Sequence, residues 1–187
     1  SRGPLQETQE SGYPNDLLPR SYDFQAPLGE FGQVRPHYHL LRRLHAFVQD
    51  FGQQLAPMAV SFPAVLPQGL DDLTTPRWAV RSNGASGFLF ANTYQRIEKL
   101  PGQLQCQFEL ELSAETLSIP AHPVDIPTSA QLLWAFNLDL GGIRMRYATA
   151  NLICRIEIDS RSVYVFYALD DLAPEFAFEE GALSAVT

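Results

Sequence analysis

Two hydrophobic rhythms divide this chain. Between residues 36 and 56, Leu40, Leu41, Leu44, Phe47, Val48, Phe51 and Leu55 recur at three-to-four-residue spacing, which lines one face of an α-helix. Pro36 suits a first helical turn, where its missing N–H costs nothing, and Pro57 forbids continuation. The spacing predicts a helix from Pro36 to about Leu55 or Ala56, with one packing face and with Arg42, Arg43 and Gln49 elsewhere. From Arg77 onward the period is two and the segments are short, at 77–82, 87–95, 103–112, 115–119, 131–137, 142–149, 151–158 and 162–168, with a further one at 175–178. Short strands at such spacing predict an antiparallel β-sandwich or an equivalent all-β module. Asn83-Gly84 falls between the first two segments and supplies the positive φ angles of a tight hairpin turn.

The remaining stretches read as connections. Residues 1–20 hold Gly3, Pro4, Gly12, Pro14 and Pro19 among polar neighbours, a loop composition. Ser21 to Phe24 form a short strand candidate that must stop at Pro27, which has no N–H to donate. Residues 57–76, with Pro57, Pro63, Pro67, Gly69 and Pro76, read as an extended linker with one short strand near Val60 to Phe62. The expected organisation is therefore a first part over 1–56, a linker over 57–76 and an all-β domain over 77–187, giving an α+β, mainly β fold.

Charge and composition narrow the partners. The net charge of −8 repels phosphate backbones and anionic lipid, and no Lys/Arg cluster offsets it, so neither nucleic acid nor a membrane surface is an expected partner. No run of eighteen apolar residues occurs, and the polar, Pro-bearing start lacks the charged and apolar regions of a signal peptide. The opening Ser1 fits a processed terminus or a piece of something longer, and no compartment can be read from it. Cys106 and Cys154 each fall on the apolar phase of an alternating run, with Leu104, Phe108 and Leu110 and with Leu152, Ile156 and Ile158. Both are expected to point into a core as small buried hydrophobes, with a disulfide as the alternative. His37, His39, His45 and His122 show no zinc spacing with them, so no metal and no cofactor is expected.

Several motifs share their order along the chain with one enzyme family. The run Ser21-Tyr22-Asp23-Phe24-Gln25-Ala26-Pro27-Leu28, followed by Gly29, Glu30 and the helix, resembles the end of the catalytic barrel of glycoside hydrolase family 35, the β-galactosidases. There a Ser-Tyr-Asp-Tyr-x-Ala-Pro-(Leu/Ile) run closes the barrel and lines the sugar pocket. The stretch from Arg81 to Arg96 resembles the Arg-x-Asn-Gly-x-x-Gly-Phe-Leu-Phe-x-Asn-x-Tyr-Gln-Arg hairpin of the β-domain that follows the barrel in bacterial members. The Ile119 to Pro127 turn and the Phe136 to Thr149 stretch are similar as well. The resemblance implies that residues 1–56 are the last strand and helix of a TIM barrel and that 77–187 brace it. It also implies a parent that hydrolyses terminal β-galactosides with retention, with the rest of the barrel as this chain's partner.

The site residues follow from the same comparison. Tyr22 takes the first tyrosine position of the family run, at the carboxyl end of the eighth strand, where barrel enzymes assemble their sites. It is the one substrate-binding residue carried over; a buried aromatic whose hydroxyl satisfies a backbone carbonyl is the other reading. Phe24 departs from the family's second tyrosine and loses a donor, and Asp23 points away from the pocket by alternation. A retaining glycosidase needs two carboxyl groups about 5–5.5 Å apart, and neither the Asn-Glu-Tyr nor the Glu-x-Trp context of the family's catalytic glutamates occurs here. The chain alone is expected to be inactive.

Of the acidic pairs present, Asp71/Asp72, Asp170/Asp171, Glu179/Glu180 and Glu109/Glu111, the last shares the outward side of a strand and reads as a solvated face. Arg144 and Arg146 likewise read as a polar sheet face, and His122 as a loop residue. Trp78, Trp134, Phe88, Phe90 and Tyr94 read as core or as flat faces for a sugar. A non-catalytic carbohydrate-binding or structural β-module is therefore the alternative function, and the helix's apolar face, left unpartnered in the isolated chain, implies self-association.

Overall fold

The structure, a computed structural model, describes residues 26–95 and 98–182. It is mainly β, with antiparallel sheets and one helix among the described residues. In order these are α1 (Pro36–Leu55), β1 (Ala59–Ser61), β2 (Arg77–Ser82), β3 (Gly87–Asn92), β4 (Gln103–Glu111), β5 (Thr116–Ile126), β6 (Gln131–Asp139), β7 (Arg144–Ala148), β8 (Asn151–Ile158), β9 (Arg161–Tyr167) and β10 (Phe176–Phe178). No helix among the described residues is long and apolar enough to cross a membrane. Two compact units divide the chain, Ser1–Ala46 and Phe47–Thr187.

In the first unit, residues 26–35 make a tight reversal into α1. Leu28 bridges Val34, Gly29 N–H donates to Gln33 O at 2.8 Å, and Arg35 N–H donates to Pro27 O at 3.0 Å. Gly32 takes φ +78°, a conformation glycine adopts without penalty. The Arg35 guanidinium reaches back to Ala26 O, so the entrance to the helix is tied to the residue before Pro27.

The second unit is built on a six-stranded sheet ordered β1-β2-β3-β6-β7-β10. Alternation sends neighbouring side chains to opposite faces. Leu89, Trp134 and Phe136 join Phe108 and Leu110 of β4 and Leu117, Ile119 and Ile126 of β5 in one core. Phe88, Ala135 and Met145 join Phe47 and Phe51 of α1 and Leu152 of β8 in the other. The sheet is thus covered on one face by the β4–β5 hairpin and on the other by the end of α1 and by β8–β9. Phe88 meets Phe47 edge-on at 5.1 Å between ring centroids, a favoured aromatic geometry. Gly87 opens β3 because a Cβ there would lie 2.1 Å from Arg81 O and 2.9 Å from Ser82 Cα.

The division between units falls inside α1. Phe47, Phe51 and Leu55 pack with the sheet, and Arg81 donates from Nη2 to Met58 O at 2.7 Å and to Ala56 O at 3.3 Å, fastening the helix end to β2. The stretch read as a linker also supplies β1, which pairs with β2 from Ala59↔Ser82 to Ser61↔Val80. The β2–β3 connection spans residues 83–86 and carries its positive φ at Gly84 alone, so it is a longer loop than the expected tight turn.

Neither cysteine is a fully buried core residue, and both are free thiols. Leu152 is buried against α1, but the β8 register shifts between Leu152 and Cys154. The extra residue turns Cys154, Ile156 and Ile158 to the opposite face, opposite Val165, Val163 and Arg161, and leaves the two isoleucines exposed. In β4 a similar irregularity between Gln103 and Cys106, with Gln105 at φ 51°, leaves Leu104 77% exposed. Cys106 stays half-buried against the core, where burial, with Asp125 adding to it, pushes its thiol up.

Candidate functional site

In the first unit a groove of about 300 Å³ opens between Ala26, Pro27 and Leu28 on one side and Tyr38, Leu41, Arg42 and His45 of α1 on the other. Positions 38, 41, 42 and 45 fall on one face because i, i+3, i+4 and i+7 share it. The walls are largely apolar. The polar groups that reach it are the Tyr38 phenol, the Arg42 guanidinium, which sits 6.0 Å over the Tyr38 ring, and the exposed His45. Among the described residues no carboxylate lines it, so these residues do not supply a general acid and nucleophile. The chemistry the groove offers is apolar contact and aromatic stacking, with donors at its rim.

Tyr22, the residue expected to bind sugar, lies outside the described residues, as do Ser21, Asp23 and Phe24. The described chain begins at Ala26, in the wall of the groove.

The acidic pairs do not assemble a catalytic centre. Glu109 and Glu111 are both exposed, and Glu111 accepts from Thr116 Oγ1 at 3.0 Å. Asp72 organises its own loop, accepting from the backbone N–H of Thr75 at 3.0 Å, of Thr74 at 3.2 Å and of Gln68 at 3.2 Å. These bonds, that from Thr75 foremost, hold its carboxyl far below the usual carboxylate range. Glu179 pairs with Arg144 at 3.2 Å. Among the described residues no group of three or more His, Cys, Asp or Glu side chains is placed to hold a metal ion.

Two polar ties escaped the sequence reading. Glu115, in the turn between β4 and β5, takes Arg146 Nη1 at 2.8 Å and Nη2 at 2.5 Å, a fork-to-fork pair. Asn137, at φ 49°, donates from Nδ2 to Glu115 Oε1 at 3.0 Å and to Ala85 O at 2.9 Å, while its own Oδ1 is buried without a partner. Tyr147 and Glu175 make the second tie, together with Thr149 Oγ1, which accepts from Glu175 N–H at 2.7 Å. Nothing in a turn acid such as Glu115 marks its partner, which is set by how two hairpins dock. Both ties join strands and loops of the second unit.

The aromatic residues divide similarly. Trp134 is wholly enclosed, and the half-buried Trp78 packs on Phe108 at 5.1 Å between centroids. Phe88 is buried and Phe90 half-buried on the α1 side. Tyr94 is exposed and His122 stands in solvent. Comparison with protein-family models gives no match for the chain, and comparison with curated proteins gives none.

Proposed function

We propose that this chain is the closing part of a family 35 retaining β-galactosidase, the last strand and helix of its TIM barrel with the β-domain that follows, and that it lacks both catalytic glutamates. The observation that carries the reading is the stripe Leu40, Leu44 and Val48, three exposed aliphatic side chains four residues apart on α1. A helix exposing such a stripe calls for a partner surface, and a barrel helix has one in the strands it covers. The loop before α1 exposes Leu28, Phe31 and Val34 as well. Supporting this are the order of the motifs from Ser21 to Thr149 and the groove beside Ala26-Pro27-Leu28, which follows Tyr22 by a few residues.

In this reading Tyr22 binds a galactose hydroxyl or orients a carboxylate supplied by the rest of the barrel. The β-domain braces the barrel end through α1, whose last turns are fastened to the sheet by Phe47, Phe51 and Arg81. The test is the reading frame upstream of the Ser1 codon. It continues through the other βα units of an eight-membered barrel and carries both glutamates; a start codon with no barrel before it overturns the proposal. The purified chain alone releases no galactose from nitrophenyl galactoside, and normal turnover by it would also overturn the reading.

A further inference from the structure

Asn83 is the one asparagine in the sequence that precedes a glycine, and the turn it opens bears on its own chemistry. A glycine backbone nitrogen, unhindered by a Cβ, can attack the Cγ of the preceding asparagine. The N–Cγ bond forms as the Cγ–Nδ2 bond breaks, and Nδ2 leaves as ammonia with the amide proton. Water then opens the resulting succinimide. Cutting the Cγ–N bond yields aspartate; cutting the bond to the main-chain carbonyl yields isoaspartate, with an extra methylene in the backbone.

Asn83 is exposed, so solvent reaches it. What the fold withholds is freedom in the two reacting groups. The Gly84 N–H donates to Ser82 Oγ at 2.8 Å, and Ser82 Oγ donates in turn to Ser86 O at 3.0 Å. Asn83 Oδ1 accepts from the N–H of Ala85 at 3.0 Å, the N–H of Ser86 at 2.9 Å and Ser86 Oγ at 3.4 Å. The nucleophile therefore keeps its proton in a hydrogen bond, and Cγ cannot swing toward it without releasing the bonds its oxygen accepts. Ser113 N–H donates to Gly84 O at 2.8 Å, which ties this turn to the β4–β5 turn.

We infer that Asn83-Gly84 is a modification site kept latent by the fold, with the Ser82 hydroxyl setting the rate at which the folded chain deamidates. Unfolding of the β2–β3 turn releases both groups. Aspartate at 83 keeps the accepting oxygen the turn uses, whereas isoaspartate lengthens the backbone where Ser82 pairs with Gly87.

The experiment incubates the full chain at mildly alkaline pH, folded and in urea, and follows the peptide carrying Asn83 by mass spectrometry that separates aspartate from isoaspartate. The folded chain is expected to react at least about tenfold more slowly than the unfolded one, and Ser82→Ala to raise the folded rate about fivefold, the factor set by one net hydrogen bond. The unfolded rate stays unchanged, and Ser82→Thr, which keeps the hydroxyl, stays near the wild-type rate. Equal rates for folded and unfolded chain, or no acceleration in a folded Ser82→Ala variant, overturn the inference. If Ser82→Ala does not fold, the wild-type comparison decides it alone.

Discussion

Tyr147 donates its phenol proton to Glu175 while its oxygen accepts the Ala121 N–H at 2.8 Å. One hydroxyl on β7 thereby holds the segment leading to β10 and the irregular middle of β5. Between Cys106↔Val124 and Phe108↔Ile119 the register of β5 shifts, leaving Pro120 to Pro123 outside regular pairing. The Ala121 N–H would otherwise lack a ladder partner, and Gln107 Nε2 serves the same region by donating to Pro120 O at 2.9 Å and Ala121 O at 3.0 Å.

Tyr147→Phe removes one donor and one acceptor and leaves Glu175 and the Ala121 N–H without it, so it is expected to destabilise the folded chain by about 1–3 kcal/mol in denaturant titrations. Burial, reinforced by the bond to Glu175, pushes the Tyr147 phenol up from 10.0 to about 12. A raised folded value favours the protonated form in the folded state. The stabilisation is therefore complete below pH 10 and is lost as pH rises toward 12. Alkaline absorbance titration should show a late-titrating tyrosine that is absent in Tyr147→Phe.

The fork between Arg146 and Glu115 works at the other end of the pH scale. The hydrogen bonds from Arg146, then that from Asn137, lower the Glu115 carboxyl from 4.5 to about 2. A lowered folded value stabilises the fold above the ordinary value, and that contribution disappears as pH falls from 4.5 to about 2. The pair is partly exposed, so Glu115→Gln is expected to cost only about 1 kcal/mol at neutral pH. Its denaturation midpoint should vary less than the wild type's between pH 5 and pH 2. A variant that keeps the wild-type slope in that window would refute this role for the pair.

The exposed aliphatic stripe on α1 predicts behaviour of the isolated chain. Leu40 and Leu44 are 59% and 47% exposed, so replacing them removes little packing from the folded chain. The wild-type chain is expected to form concentration-dependent oligomers in sedimentation velocity, and Leu40→Glu with Leu44→Glu to shift it to monomer with unchanged circular dichroism. A wild-type chain that stays monomeric at high concentration would remove the support this stripe lends to a missing partner.

Much of the architecture could be read from side-chain order because local rules decided it. Pro36 and Pro57 bracket α1, which runs Pro36–Leu55, and period-two alternation located β2 to β4 and β6 to β10 within a few residues, whereas β5, expected at 115–119, runs on to Ile126 through the stretch read as a turn. What stayed hidden depended on partners. The shift after Leu152 arises from pairing with β9, and nothing in Leu-Ile-Cys-Arg announces it. The helix carries more apolar residues than its last turns bury, and only packing reveals that Phe47 and Phe51 pack with the sheet while Val48 stays exposed. Glu115 and Glu175 looked like any surface acids until Arg146 and Tyr147 came opposite them. Tyr22, the residue expected to bind sugar, lies outside the described residues.

The edge strand β1 has one more consequence. It is three residues long and stands between Pro57 and Pro63, with Val60 and Phe62 exposed. An open sheet margin with greasy side chains is a template on which further chains can stack into fibrils. Here the flanking prolines withhold the N–H groups that a longer docking ladder would use, so the margin open to another strand is no longer than Ala59–Ser61.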